Sequence, residues 1–357
     1  MNHFISMKDF SKNEILEILK RANYLDSTPE RNLCRENIVS TLFFEPSTRT
    51  RLSFVTAAYK LGAPVHGFDS PSGTSLQKGE SLRDTIKMAE SYCDTIVIRH
   101  PKDGSARFAA DISKVPVING GDGANEHPSQ TLLDLYTIQK EQESLENIKI
   151  AFLGDLKYGR TVHSLTKALS LFNAEFYFIA APEIQIPDYL LEELREKGIK
   201  YQLLDNFQEI VKKVDVLYVT RVQKERFQDF SVYEKVKNNY ILKAENLRNA
   251  KDNLIVMHPL PRVNEIALDV DDTKFAKYFQ QAANGVPVRE AIISFALEKF
   301  PFSREEKVQE EILKNSKSLC QNNNCISNSE ETDNKIVHHH GRDFCYYCRR
   351  EIKDVNR

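Results

Sequence analysis

At 357 residues the chain is too long for one ordinary core, so two domains and an appendage are expected. Hydrophobic residues make up 41%, which excludes a disordered chain, and 49 basic against 51 acidic side chains give a net charge of −2, so wholesale nucleic-acid binding has no charge basis. No stretch approaches the roughly 18–20 apolar residues that cross a bilayer, and Met1 to Phe10 lacks the basic-then-apolar layout of a signal peptide, so a cytoplasmic location is expected.

In chain order, Val39 to Phe44 is a buried strand, broken by Glu45-Pro46. Ser47 or Thr48 can cap the helix that follows, which carries Leu52, Phe54, Val55, Ala58 and Leu61 and ends at Gly62-Ala63-Pro64. Thr95 to Ile98 and Val115 to Ile118 are further short apolar runs, and Thr131 to Gln139 is helical. The rhythm repeats: strand Ile148 to Leu153, helix Thr161 to Phe172, strand Phe176 to Ile179, helix Tyr189 to Lys197, then strands Val216 to Val219 and Leu254 to Met257. Such alternation predicts two doubly wound parallel α/β domains with a crevice between them. The expected first domain is 1–140, completed by a closing helix over 288–300. The second is 141–287, with the link near Lys140–Asn147. Residues 301–318 are charged and form at best a linker helix, and 319–357 form a small module.

Ser47-Thr48-Arg49-Thr50-Arg51 opens a helix after a strand, where free backbone N–H groups, hydroxyls and guanidinium groups suit a phosphate. The loop Gly73 to Glu80, with Ser75 and Lys78, is of the Gly-containing cationic kind that closes over anions. Arg99 ends a strand, and His127-Pro128-Ser129-Gln130 opens another helix. Gly154 to Arg160 joins strand to helix but lacks both the nucleotide P-loop ending and the three-glycine dinucleotide spacing. Thr220-Arg221-Val222-Gln223 and His258-Pro259-Leu260-Pro261-Arg262 also end strands. Taken singly, each arginine suits a solvated or structural role. Together Arg49, Arg99, Arg160 and Arg221 predict a site for a small polyanion.

Four runs carry a resemblance: Phe-Phe-Glu-Pro-Ser-Thr-Arg-Thr-Arg, Gly-Asp-Leu-Lys-Tyr-Gly-Arg-Thr-Val-His-Ser, Thr-Arg-Val-Gln-Lys-Glu-Arg and Met-His-Pro-Leu-Pro-Arg. Over residues 1–300 the chain resembles the catalytic chain of the aspartate carbamoyltransferase family. The resemblance implies transfer of a carbamoyl group from carbamoyl phosphate to L-aspartate, in pyrimidine biosynthesis, without metal or organic cofactor in catalysis. His258-Pro259-Leu260-Pro261 stands where ornithine-specific members carry His-Cys-Leu-Pro. By the same resemblance Ser47, Thr48, Arg49 and Thr50 hold the phosphate, and Arg99, His127 and Gln130 meet the carbonyl and carbamoyl nitrogen. The backbone carbonyls of Leu260 and Pro261 accept from that nitrogen. Arg160 and Arg221 clamp the aspartate carboxylates with help from Gln223, while Ser75 and Lys78 reach into a neighbouring subunit's site, which implies a homotrimer or a multiple of trimers. A carbamoyltransferase for another amino acid, or a non-catalytic scaffold, are the competing readings.

Cys34 and Cys93 stand alone and are expected to be half-buried thiols. Cys320, Cys325, Cys345 and Cys348 form two spaced pairs, the ligand set of a structural Zn²⁺ in a reducing compartment. The tail has little apolar material, so metal binding, worth about 10–16 kcal/mol, is expected to drive its folding. His338, His339 and His340 are expected on a polar loop. The cysteine segment resembles the zinc domain of the family's regulatory chain, which docks against catalytic chains. A nucleic-acid zinc ribbon is a further reading, disfavoured by the acidic linker.

Overall fold

Two parallel sheets organise the protein, each wound in both directions from its centre. The structure, a computed structural model, describes residues 1–222, 240–305, 310–314, 320–339 and 341–353. The chain divides into two compact units, 1–129 with 286–357, and 130–285.

The first unit begins with α1 (Lys12–Ser27), started by a reciprocal capping box in which the Ser11 side chain accepts from Glu14 N and Glu14 accepts from Ser11 N. There follow β1 (Val39–Phe43), α2 (Thr48–Lys60), β2 (Val65–Phe68), α3 (Leu82–Ala89), β3 (Thr95–His100), α4 (Ser105–Ile112), β4 (Val117–Asp122) and α5 (Pro128–Gln142). The strand order is β2-β1-β3-β4, all parallel. Strands β1 and β4 are buried throughout, which explains their unbroken apolar or small-residue runs. Strand β2 has no such run because it is a half-exposed edge, so the sequence gives no sign of it. At the other edge Phe4 pairs with Ile118, with Phe4 N donating to Val117 O and Asn119 N to Phe4 O.

The second unit contains β5 (Lys149–Leu153), α6 (Arg160–Ser170), β6 (Glu175–Ile179), α7 (Asp188–Glu196), β7 (Tyr201–Leu204), β8 (Val216–Val219) and β9 (Ile255–Met257). The order is β7-β6-β5-β8-β9, again all parallel. Phe152, Phe176 and Phe178 stack across neighbouring strands with centroids 5.8–6.4 Å apart, packing one face of the sheet. Helix α8 (Tyr278–Ala296) starts ten residues before the expected closing helix, because Pro287 lies inside it rather than at its start. The divisions between these compact units fall within α5 and α8.

The tail departs further from expectation. Part of the supposed linker helix is strand β10 (Glu311–Leu313), which pairs antiparallel with β11 (Ile336–His339), itself paired with β12 (Arg342–Cys345). Ile312 and Leu313 of the linker pair in a sheet and stay exposed, while His338 and His339 lie on a strand rather than a loop, with His338 Nδ1 2.7 Å from Asp343, and His340 lies outside the described residues. Nor does the tail lack apolar support. Ile326, Ile336, Tyr347 and Ile352 are buried in one cluster with Ile86 of α3 and Phe108 of α4. The tail borrows the body's apolar face, so metal is not its sole source of folding energy. Cys34 and Cys93 are fully rather than half buried, and burial pushes their thiols up to about 11 and about 12, which leaves them unreactive.

Gly104 has φ +82° and sits against the tail, where an added Cβ would lie 2.6 Å from the carbonyl carbon of Tyr347. Gly104→Ala is expected to separate the tail from α4 and to destabilise the protein by about 1–3 kcal/mol, read as a lower urea midpoint.

Candidate active site

In both units the candidate residues collect where the strand order reverses. In the first, β1 connects outward to β2 on one side and lies beside β3 on the other. The helix after β1 therefore starts next to the end of β3, and the register brings Phe43 opposite Arg99. The first turn of α2 is Thr48-Arg49-Thr50, and its N-cap Ser47 makes no side-chain capping bond. The orphan N–H groups of a helix start and its positive dipole end meet here. Thr50 is buried while Thr48 and Arg49 are exposed. Partial burial lowers the Arg49 pKa, although an arginine stays charged at neutral pH.

Arg99 is 9% exposed. Its Nη1 donates to Gly120 O at 3.1 Å and its Nη2 lies 3.0 Å from Glu45 Oε2. Glu45 carries no sequence signal for this role beyond its place just past the end of β1, which puts it within reach of the neighbouring strand end. His127 is buried just before α5, with Nδ1 3.4 Å from Ser129 Oγ. Ser75 and Lys78 sit exposed on a short 3₁₀ turn (Ser75–Lys78) and are not gathered with these groups by strand order.

In the second unit the reversal lies between β5 and β8. Arg160 is the first residue of α6, after β5, and Arg221 follows the end of β8. The two loops approach so closely that a Cβ on Gly154 would stand 2.3 Å from Thr220 O, and Gly154 has φ +118°. Leu260 and Pro261 follow β9, the strand beside β8, and are joined by a cis peptide bond, with Leu260 at φ +55°. Gln130 is half-buried near the start of α5, and its Nε2 donates to Asp134 at 2.9 Å. Gln223 lies outside the described residues.

The four tail cysteines do converge. Their sulfur atoms all lie within 4.8 Å of one another. Cys320 and Cys348 are 3.5 Å apart at sulfur, Cys325 and Cys345 3.7 Å, and none forms a disulfide. A tetrahedral ion with sulfur at about 2.3 Å requires sulfur separations of about 3.8 Å, so the donor set and its spacing fit zinc. Ser327 Oγ donates to Cys325 Sγ at 3.2 Å, a support of the kind that orients metal ligands.

Asp103, four residues past Arg99, joins this module to the first unit. It is fully buried. Its backbone N–H donates to Asn324 O and its carbonyl accepts from Ile326 N. Its carboxylate accepts from Ala124 N at 2.8 Å, from Asn322 at 2.9 Å, from Asn324 at 3.1 Å and from Arg350 at 3.0 Å. Nothing in the sequence pattern around Asp103 marks this role, because its tail partners lie over 200 residues away.

The matches to known proteins agree with this architecture. The profile described as "Aspartate/ornithine carbamoyltransferase, carbamoyl-P binding domain" matches residues 2–140, and "Aspartate/ornithine carbamoyltransferase, Asp/Orn binding domain" matches 146–296. The chain belongs to the aspartate/ornithine carbamoyltransferase family. It is 51% identical to the aspartate carbamoyltransferase catalytic subunit of Brachyspira hyodysenteriae, covering 99% of both chains, so that relative matches through the tail as well. The catalytic subunit of M. jannaschii aspartate transcarbamoylase superposes with a TM-score of 0.78 at 51% identity, over 84% of this chain and 98% of that one. The Trypanosoma cruzi aspartate transcarbamoylase, solved with carbamoyl phosphate and aspartate, gives 0.77 at 38% identity over 83% of this chain and 96% of that one. Among the described residues no helix is long and apolar enough to cross a membrane.

Asp103→Ala removes the acceptor for four donors at once and is expected to cost about 2–4 kcal/mol, with Asp103→Asn costing less. Urea unfolding of the two variants beside the parent measures both.

Proposed function

We propose that the groups gathered at the two strand-order reversals carry the carbamoyltransferase reaction. The chain transfers the carbamoyl group of carbamoyl phosphate to the amine of L-aspartate, giving N-carbamoyl-L-aspartate and phosphate. The observation that carries the residue assignment is the paired placement of arginines. Arg49 and Arg99 flank the reversal of one sheet, and Arg160 and Arg221 flank that of the other.

Ser47, Thr48, Arg49 and Thr50 hold the phosphate at the start of α2, where fixed N–H dipoles and the guanidinium favour about two negative charges. Anion binding draws Arg99 from Glu45. Thr50, Arg99 and His127 then face the carbonyl oxygen, where charge builds as the α-amine attacks. Each such donor contributes about 2.7–4 kcal/mol by analogy with other oxyanion sites. Arg160 and Arg221 hold the aspartate carboxylates, assisted by Gln223. The new bond is amine nitrogen to carbamoyl carbon. The broken bond is that carbon to the phosphate oxygen, and the departing phosphate takes the amine proton. Ser75 and Lys78, exposed on their own turn, complete the site of a neighbouring subunit in a trimer.

Cys320, Cys325, Cys345 and Cys348 hold a structural Zn²⁺ in a module like the zinc domain of the family's regulatory chain. The near-tetrahedral sulfur spacing supports this. Zinc supplies no chemistry to the transfer. It ties the β10-β11-β12 sheet to the Asp103 joint.

Arg49→Ala is expected to lower kcat/KM by at least about a hundredfold while circular dichroism stays that of the parent. Near-parental turnover, or faster carbamoylation of ornithine than of aspartate by the parent, would contradict the assignment. Metal analysis is expected to find zinc bound at the four-cysteine cluster, with chelation lowering the thermal midpoint. Unchanged stability and unchanged oligomer size after zinc removal would refute the buttressing role.

A further inference from the structure

The second unit contains a buried chain of polar side chains that the transfer step itself does not use. Asp134 of α5 has no solvent exposure. Its carboxylate accepts from Tyr218 OH at 2.8 Å, from Gln281 Nε2 at 2.6 Å and from Gln130 Nε2 at 2.9 Å. Gln281, on α8, accepts in turn from His258 N at 2.9 Å through its Oε1. The Leu260 N–H donates to His258 Nδ1 at 2.8 Å. That bond fixes the imidazole tautomer: Nδ1 offers a lone pair, so Nε2 carries the proton and donates to Glu265 Oε1 at 2.8 Å. The other oxygen of Glu265 accepts from Val263 N and Asn264 N, both at 3.1 Å. His258 and Glu265 are 1% and 5% exposed.

These bonds leave little choice of orientation. A carboxylate only accepts, so both glutamines turn their NH₂ groups toward Asp134. Gln130 is left presenting its Oε1. At the far end, the His258–Glu265 pair grips the backbone on both sides of Leu260 and Pro261 and sets the direction of their carbonyls. The chain therefore ends in three groups of one kind: Gln130 Oε1, Leu260 O and Pro261 O, all acceptors.

We propose that Asp134, Gln281, His258 and Glu265 are positioning residues that make the site selective for a transferable group bearing an NH₂, by holding Gln130 Oε1 and the Leu260 and Pro261 carbonyls as a fixed set of acceptors. This rests on the reading that those three groups meet the carbamoyl nitrogen. A methyl group in place of the NH₂ is nearly the same size but offers no N–H. Acceptors that cannot turn away then stay unpaired when such a donor binds, and a rigid site of that kind rejects the analogue strongly. A loose loop would turn its carbonyls to water and lose the distinction.

The test compares carbamoyl phosphate with acetyl phosphate as donor to aspartate, with inorganic phosphate as an inhibitor. Acetyl transfer follows the same course, with the amine nitrogen joining the acetyl carbon as phosphate leaves with the amine proton. The parent is expected to prefer carbamoyl phosphate strongly. His258→Leu, which removes the acceptor for the Leu260 N–H, is expected to cut that preference about tenfold and to raise the KM for carbamoyl phosphate. Inhibition by phosphate is expected to stay unchanged, because its proposed ligands lie on α2 in the other unit. His258→Asn keeps an acceptor atom in place of Nδ1 and is expected to restore most of the preference. Glu265→Gln, the mildest change, is expected to lower it by a smaller factor and serves if His258→Leu does not fold. Equal slowing of both donors with undiminished preference in His258→Leu, or in Glu265→Gln where His258→Leu does not fold, overturns the positioning role. A parent that uses both donors equally overturns the acceptor reading beneath it instead.

Discussion

A parallel sheet can present a binding site only where its connections part, and that constraint governs both halves of this protein. Between β1 and β3, and again between β5 and β8, the helices on either side run to opposite faces. Helix starts, with the positive ends of their dipoles, lie beside the ends of those strands. Every gathered cation follows from this. Arg49 and Arg160 begin helices, while Arg99 and Arg221 finish strands. Anions are drawn to such places by backbone dipoles before any side chain contributes. The arginines convert a general preference into one for particular charged groups.

Within that frame three carboxylates, half-buried Glu45 and buried Asp103 and Asp134, have distinct duties. Glu45 sits against Arg99 and balances its charge. Asp103 faces donors from both the body and the tail. Asp134 orders amides, and so decides which atom of a glutamine faces outward. None stands as an isolated buried charge, which would be costly. Asp103 and Asp134 draw most of their donors from distant parts of the sequence.

That distance explains what could be read from the chain alone. The central strands were legible because burial on both faces demands continuous apolar or small residues, as in Val39 to Phe43 and Val216 to Val219. The arginines were legible because Arg99 and Arg221 lie at the ends of such runs, and Arg49 and Arg160 open the helices that follow them. Edge strands were not: Val65–Phe68 and Tyr201–Leu204 alternate too weakly to announce themselves. Glu311–Leu313 read as helix because three residues carry no period, and only pairing with Ile336–His339 makes them a strand. The tail cysteines were legible as ligands from spacing, while the apolar dock beneath them was not, since Phe108 and Tyr347 meet across more than two hundred residues. The Asp134 network was invisible for the same reason. A glutamine in a helix says nothing of where its amide points.

The shared apolar cluster between the tail and helices α3 and α4 has a consequence for how such a protein can be made. Cut after the first 300 residues, the body would present Leu82, Ile86 and Phe108 to water, and the tail would present Ile326, Tyr347 and Ile352. Each surface is the kind that sticks indiscriminately when bare. Synthesis as one polypeptide guarantees that the two faces are produced in equal number and within reach of each other. Two separate genes would have to match their output to achieve the same. Covalent continuity here is a form of dosage control.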